Sequence, residues 1–229
     1  TKNLTDLNEV KKYWIPSQNL LNLDGKIKFY KTHHINCKID DYSFTNAKNT
    51  LATIYIIRDP RNLVNSIANH YSKSIDEAKE FLLTPRMNVG HNKYDEENKK
   101  VLPVLLGKWK EHYYFWKKNN NNFHLIKYED LILNPEEELE KIVVFLKNFM
   151  NIETNLIKNR NILESTSFKN LRSLEEKGEF KENAFETKGK KKNFFYLGPK
   201  NNWKNHLNEQ IRQEIENKLS NEMKELGYL

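Results

Sequence analysis

The fold turns on LATIYIIRDPRNLVNSIANHYS, residues 51–72. Leu51 to Ile57 is short, apolar and partly β-branched, the pattern of a buried strand. It stops at Arg58-Asp59-Pro60. A helix is predicted to start there. The Asp59 carboxylate can accept hydrogen bonds from the first unpaired amides, and Pro60 has its φ already set for the first helical position. Leu63, Ile67 and His70 or Tyr71 then fall near helical spacing.

Working outward, Phe123 to Tyr128 (FHLIKY) reads as a second strand, and Ile27 to Lys31 as a short third one. Asp76 to Leu83 predicts a helix. So does Pro103 to Lys118, which ends at a run of Asn from Asn119 to Asn122 read as a polar turn. Pro135 to Phe149 carries Leu139, Ile142, Val143 and Leu146 on one face, with Asn134 in a capping position. Asn208 to Leu226 predicts one long terminal helix, with Ile211, Ile215, Leu219, Met223 and Leu226 in register and Gly227 as its stop. Lys177 to Asn202 reads as a long, Lys-rich loop. Strands alternating with helices imply an α/β fold, a parallel sheet flanked by helices on both faces. A chain of 229 residues fits one domain, 1–229.

Composition narrows the function. The chain is 38% apolar and 30% charged, the balance of a folded globular protein. No apolar run approaches the roughly 20 residues that span a bilayer. Cys37 is the only cysteine, which excludes an internal disulfide and an all-cysteine zinc site. A reducing, cytoplasmic compartment is the expectation. The net charge of +7 favours anionic partners. Yet the chain has 32 Lys, 32 Asn and only 6 Arg. That composition follows AT-rich codons, so part of the charge is background rather than a binding footprint.

In open parallel sheets, ligands bind at the carboxyl ends of strands. Two predicted strands end in chemically useful residues. One ends Lys31-Thr32-His33-His34, and strand periodicity would put Lys31 and His33 on the same side. The other ends Arg58-Asp59-Pro60-Arg61, with Ser66 eight residues after Arg58. An arginine fork, a helix start and a hydroxyl on that helix together suit a phosphate dianion. Taken alone, Arg58 is as well read as the partner of Asp59 or a surface acid, Ser66 as a solvated hydroxyl, and His33 as a packed or surface histidine.

Read together, six segments match a known family in order. They are KTHH (31–34), YIIRDPRNLVNSIANHYS (55–72), GKWKEHYYFW (107–116), IKYEDLILNPEEELEKIVVFL (126–146), STSFKNLRSLEEKGEFKEN (165–183) and FFYLGPKNNWKNHL (194–207). On these the chain resembles the sulfotransferases that use 3′-phosphoadenosine 5′-phosphosulfate (PAPS), above all small bacterial members related to the cytosolic enzymes. The resemblance implies a P-loop nucleotide-kinase-like sulfotransferase fold. It also implies transfer of a sulfuryl group to a hydroxyl, or an amine, on a small molecule or glycan, leaving adenosine 3′,5′-bisphosphate.

The same resemblance implies residue roles. Arg58 and Ser66 would hold the 3′-phosphate and Tyr128 would approach the adenine. Thr166, Ser167 and Phe168 would line the adenosine pocket, with Phe168 stacked on the ring. Gly198 would let the last loop pass close to the 3′-phosphate. His33 would be the general base and Lys31 would lie near the transferring group. Trp109, His112 and Trp116 read as packing. Sulfuryl transfer of this kind needs no metal, no membrane and no nucleic acid. Two other classes stay open on the residues alone: a nucleotide kinase-like phosphoryl transferase, and a non-catalytic nucleotide- or nucleic-acid-binding module.

The sequence departs from the family pattern twice. The phosphosulfate loop, P-K-S-G-[ST]-T-W-like, is not found in it and is expected upstream of Thr1. Before Gly198, where the family commonly has two cations, stand Tyr196 and Leu197. Lys190 to Lys192 or Lys200 are the candidates to replace them. Residues Met87 to Lys100 are placed as an acceptor loop or lid, and no family dimer element is recognisable after Trp203-Lys204.

Overall fold

The computed structural model describes residues 5–89, 102–180 and 192–229. Its elements run α1 (Leu7–Val10), α2 (Trp14–Leu21), β1 (Lys38–Ile39), β2 (Tyr42–Ser43) and β3 (Thr53–Ile57). Then come α3 (Pro60–His70), α4 (Ile75–Leu83), β4 (Met87–Val89), β5 (Pro103–Leu105), α5 (Trp109–Lys118) and β6 (Phe123–Lys127). The chain continues through α6 (Tyr128–Leu133), α7 (Pro135–Lys147), α8 (Leu156–Ser165), α9 (Phe168–Glu176), α10 (Glu209–Lys218) and α11 (Ser220–Glu225).

The architecture is α/β, a parallel sheet with flanking helices. β3 and β6 are its paired strands. At their starts the Thr53 amide donates to the Asn122 carbonyl at 2.8 Å. The side chain of Asn122 donates to Leu51 O at 2.7 Å, and that of Asn120 to Thr53 Oγ1 at 2.7 Å. The Asn run is thus more than a turn, since it fixes where the two strands begin. Two antiparallel pairs complete the sheet structure: β1 with β2, and β4 with β5, with Met87 opposite Leu105.

The chain divides into two compact units, Thr1–Tyr55 with Thr84–His124 and Ile56–Leu83 with Leu125–Leu229. In the first, Val10, Trp14, Ile35, Tyr113 and Trp116 form a buried cluster. His34 belongs to it, its ring stacked on Phe44 at 4.1 Å and edge-on to Trp14 at 4.9 Å. In the second, α3 and α4 bury Val64, Ile67, Ala78 and Leu82, while α10 and α11 bury Ile211, Ile215, Leu219 and Met223. Apart from Ala78, each such side chain contributes about 1.5–3 kcal/mol when fully withdrawn from water. No helix among the described residues is long and apolar enough to cross a membrane.

The predicted start of α3 holds in detail. Asp59 Oδ1 accepts from the Arg61 amide at 2.9 Å, and Pro60 is the first helical residue. Three expectations need correction. Residues 27–31 belong to no strand among the described residues, and Ile27, Phe29 and Tyr30 are exposed. Pro103 opens a strand rather than a helix, because β5 pairs with β4; the helix waits for Trp109, after Gly107 turns the chain at φ +64°. The terminal helix is two, parted at Leu219, where φ −118° and ψ 16° leave the helical region while the apolar stripe runs on unbroken. The proposed acceptor loop at 87–100 and the cations Lys190 and Lys191 fall largely or wholly outside the described residues.

Candidate functional site

In the second unit, Arg58 leaves the end of β3 and meets Ser66 one helical stretch on. Its Nη1 donates to Ser66 Oγ at 2.8 Å, and the guanidinium lies over the Tyr128 ring, 4.3 Å from the centroid. So Arg58, Ser66 and Tyr128 are brought together as the sequence implied. Burial weakens the hold of the guanidinium on its proton, partly offset by the field of Tyr128 and of the carboxylates Glu129 and Asp59. Arg58 Nε is buried without a hydrogen-bond partner among the described residues. An orphaned donor of this kind costs about 1–3 kcal/mol until an acceptor arrives.

Asp59 is not the partner of Arg58. Its carboxylate is committed to Arg61, which donates to it through Nε at 3.0 Å and Nη2 at 2.7 Å. Arg61 also donates to Glu216 at 2.6 Å and to the Tyr228 carbonyl at 2.8 Å, and its guanidinium lies 4.2 Å over the Trp203 ring. Asn62 receives the Trp203 amide at 2.8 Å. These contacts fasten the last loop and the C-terminal helix pair to the start of α3.

The last loop closes on Ser66 through an asparagine that the sequence reading did not single out. Asn201 is buried, and its Nδ2 donates to Asn62 O at 2.9 Å and Ser66 Oγ at 3.3 Å. Asn65 Nδ2 donates back to Asn201 Oδ1 at 3.2 Å. With 32 Asn in the chain, nothing local marks this one out. Glu175, at the end of α9, is also buried and receives the amides of Phe194 and Phe195.

Phe168 and Gly198 meet directly. Gly198 adopts φ +52°, and a Cβ built on it would run into the Phe168 ring. This adds an aromatic neighbour to the expected reason for a glycine there. Thr166 and Ser167 sit at the junction of α8 and α9. Thr166 Oγ1 donates to Ile162 O at 2.7 Å, and Ser167 Oγ caps α9 by accepting from the Asn170 amide at 3.3 Å. Their hydroxyls are therefore engaged in helix ends that place Phe168.

In the first unit, Lys31 and His33 are exposed in irregular backbone rather than on a strand. The carbonyls of 33, 34 and 36 are held instead by α5 and the residue that caps its end. His112 Nε2 contacts His33 O at 3.2 Å, Trp116 Nε1 donates to His34 O at 3.0 Å, and Asn119 Nδ2 donates to Asn36 O at 2.8 Å. Gly107 allows this approach, because a Cβ there would sit 2.7 Å from Ile35 Cδ1.

The state of His112 follows from its neighbours. Its Nδ1 lies 2.7 Å from Tyr55 Oη. Burial pushes the Tyr55 phenol up, so it keeps its proton, and His33 O, a carbonyl, can only accept. Nδ1 therefore accepts, and Nε2 carries the hydrogen given to His33 O. Burial above all, with the fields of His34 and His33, pushes His112 down to about 4 against the help of its bond to His33 O. Both His112 and Trp116, read as packing residues, also position backbone. Among the described residues no group of three or more His, Cys, Asp or Glu is arranged to hold a metal ion.

Comparison with known proteins agrees with this fold. Residues 21–227 match the sulfotransferase domain family. A mouse sulfotransferase solved with PAP superposes with a TM-score of 0.52 at 20% identity, over 75% of this chain and 58% of that one. Retinol dehydratase, solved with androsterone and the inactive cofactor PAP, gives a TM-score of 0.52 at 16% identity, over 76% of this chain and 47% of that one. The chain thus spans about half the length of these neighbours, and at this identity the likeness is one of fold. No curated protein sequence matches the chain.

Proposed function

Since the chain belongs to the sulfotransferase domain family, we propose that it is a PAPS-dependent sulfotransferase whose nucleotide is held through Arg58 and Ser66. The observation that carries this is the clasp itself: a strand-end guanidinium bonded to a helix hydroxyl, with one buried donor still unanswered. The residues fit the nucleotide. Arg58 offers the forked donor set that a phosphate dianion takes, each charge-assisted bond being worth about 1.5–3 kcal/mol. Phe168, resting on Gly198, is read as the ring that stacks on adenine, with Tyr128, Thr166 and Ser167 as the residues that would line that pocket. The whole of 1–229 is read as one domain, because the family match runs through both compact units.

PAPS supplies an activated sulfuryl group on a phosphate leaving group. The chain's part is positioning and electrostatic stabilisation, as in phosphoryl transfer. The neutral His33 imidazole takes the proton of the acceptor hydroxyl or amine. Lys31 places an ammonium where negative charge gathers on the transferring oxygens. His112 holds the backbone of His33 in place, as a positioning residue. The acceptor is a small molecule or glycan, and the setting cytoplasmic.

The test is made on the full-length protein with PAPS and a panel of hydroxyl and amine acceptors. His33→Ala is expected to abolish turnover while leaving adenosine 3′,5′-bisphosphate binding nearly intact, and Arg58→Ala to weaken that binding first. Equal loss of both in His33→Ala would refute the base assignment. Transfer from ATP with Mg²⁺, and none from PAPS, would refute the reaction.

A further inference from the structure

Within the second unit, two consecutive residues that open α6 face two consecutive residues that follow β3. The Arg58 guanidinium rests on the ring of Tyr128, and the Asp59 amide donates to Glu129 Oε1 at 3.1 Å. Asp59 is gripped a second time through its carboxylate, which accepts from Arg61 Nε at 3.0 Å and Nη2 at 2.7 Å. The turn that carries Arg58 is thus held by its main chain on one side and by a side chain on the other.

Both grips lead to one residue. Tyr228, which follows α11, donates its hydroxyl to Glu129 Oε2 at 3.2 Å, and its carbonyl accepts from Arg61 Nη2 at 2.8 Å. Burial above all, with Glu129 beside it, pushes the Tyr228 phenol up, so it keeps its proton and donates to a carboxylate that only accepts. The ring lies under Lys127, 5.3 Å from the ammonium. Gly227, at φ +69°, turns the chain so that the Tyr228 amide reaches back to Met223 O at 2.8 Å. Met223 is fully buried, so Tyr228 is anchored to the core. A glutamate with one oxygen on a backbone amide can still swing about its broad last torsion unless the other oxygen is held too. Tyr228 holds it. A swing would release the Asp59 amide, and with it the backbone that aims Arg58 at Ser66 Oγ.

We infer that Tyr228 is a positioning residue for the nucleotide site: it keeps Arg58 aimed by locking Glu129 and Arg61 onto the turn that carries it, and acts on the ligand only through Arg58. This rests on the nucleotide reading above, in which Arg58 takes the 3′-phosphate.

Tyr228→Phe removes the hydroxyl alone and keeps the ring under Lys127 and the carbonyl on Arg61. The full-length protein is titrated by calorimetry with adenosine 3′,5′-bisphosphate and with adenosine 5′-phosphate, as wild type, Tyr228→Phe, Arg58→Ala and the double variant. Thermal melting checks that each is folded. Tyr228→Phe should weaken the bisphosphate about fivefold, roughly 1 kcal/mol, and leave the monophosphate alone. In the Arg58→Ala background the same change should do nothing more, because residues that act as one unit are not additive. A general loosening of the fold would produce neither the choice between ligands nor the non-additivity. Wild-type affinity for the bisphosphate in Tyr228→Phe, alongside its loss in Arg58→Ala, overturns the positioning role and leaves the nucleotide reading intact. Equal weakening of both ligands, or a further fivefold fall on top of Arg58→Ala, overturns it as well. Wild-type binding of the bisphosphate by Arg58→Ala removes the nucleotide reading itself, and the inference with it.

Discussion

His112→Gln should flatten the dependence of stability on pH. In the folded protein the imidazole titrates at about 4, whereas a solvated histidine titrates at about 6.5. Between those values the unfolded chain binds the proton and the folded chain refuses it. Stability therefore rises with pH across the window, is fully present above about 6.5, and is lost as pH falls towards about 4. The displacement corresponds to about 3 kcal/mol, an upper figure because the ring keeps some contact with solvent. Protonation would also turn Nδ1 into a donor facing the Tyr55 hydroxyl, which then has to accept. The assay is urea unfolding at steps from pH 4 to 7.5 for wild type and variant. Glutamine does not titrate, so the variant should lose the share of the slope that belongs to His112. A remainder should persist, because burial also holds His34 low. The carboxylates common to both proteins cancel in the comparison. Identical slopes in the two proteins would refute the reasoning, for they would mean that His112 is as easily protonated folded as unfolded.

Two further outcomes follow from the last loop. Gly198→Ala forces a Cβ into the Phe168 ring at a φ of +52°; it should cost about 1–3 kcal/mol in thermal or urea unfolding and weaken adenosine 3′,5′-bisphosphate binding, and a variant as stable as wild type would show that the ring moves freely. Arg61→Met leaves Asp59 and Glu216 facing each other's surroundings without their shared cation; a loss of about 3–5 kcal/mol is expected, read as a lower urea midpoint, and a loss under 1 kcal/mol would show the cluster to be solvated.

What the sequence made legible was local. The cap of α3 needs only Asp59, Pro60 and Arg61, so it could be read from three consecutive letters. The clasp of Arg58 and Ser66 needs one strand end and two turns of helix. The terminal apolar stripe was right to the residue, yet the break at Leu219 was invisible because it spares the stripe. The error at Pro103 has the opposite cause: the β4 partner that makes it a strand lies well upstream. The strand expected at 27–31 failed because an apolar run says nothing about where a ladder partner is. The carbonyls just beyond it found side chains about 80 positions away. Asn201 was hidden by composition, since an asparagine that closes a site looks like the many that face water.

The strip from His33 to Asn36 is gripped by its main-chain oxygens, and none of the grips from α5 touches its side chains. Path and chemistry are therefore encoded in different places. The route of the strip is written at 112, 116 and 119, while the group we propose as the base is written at 33. A substitution at the exposed His33 can alter what is offered to an acceptor without disturbing the buried side chains of His34, Ile35 and Asn36, and a single change in the helix can misdirect the proposed base while leaving it untouched.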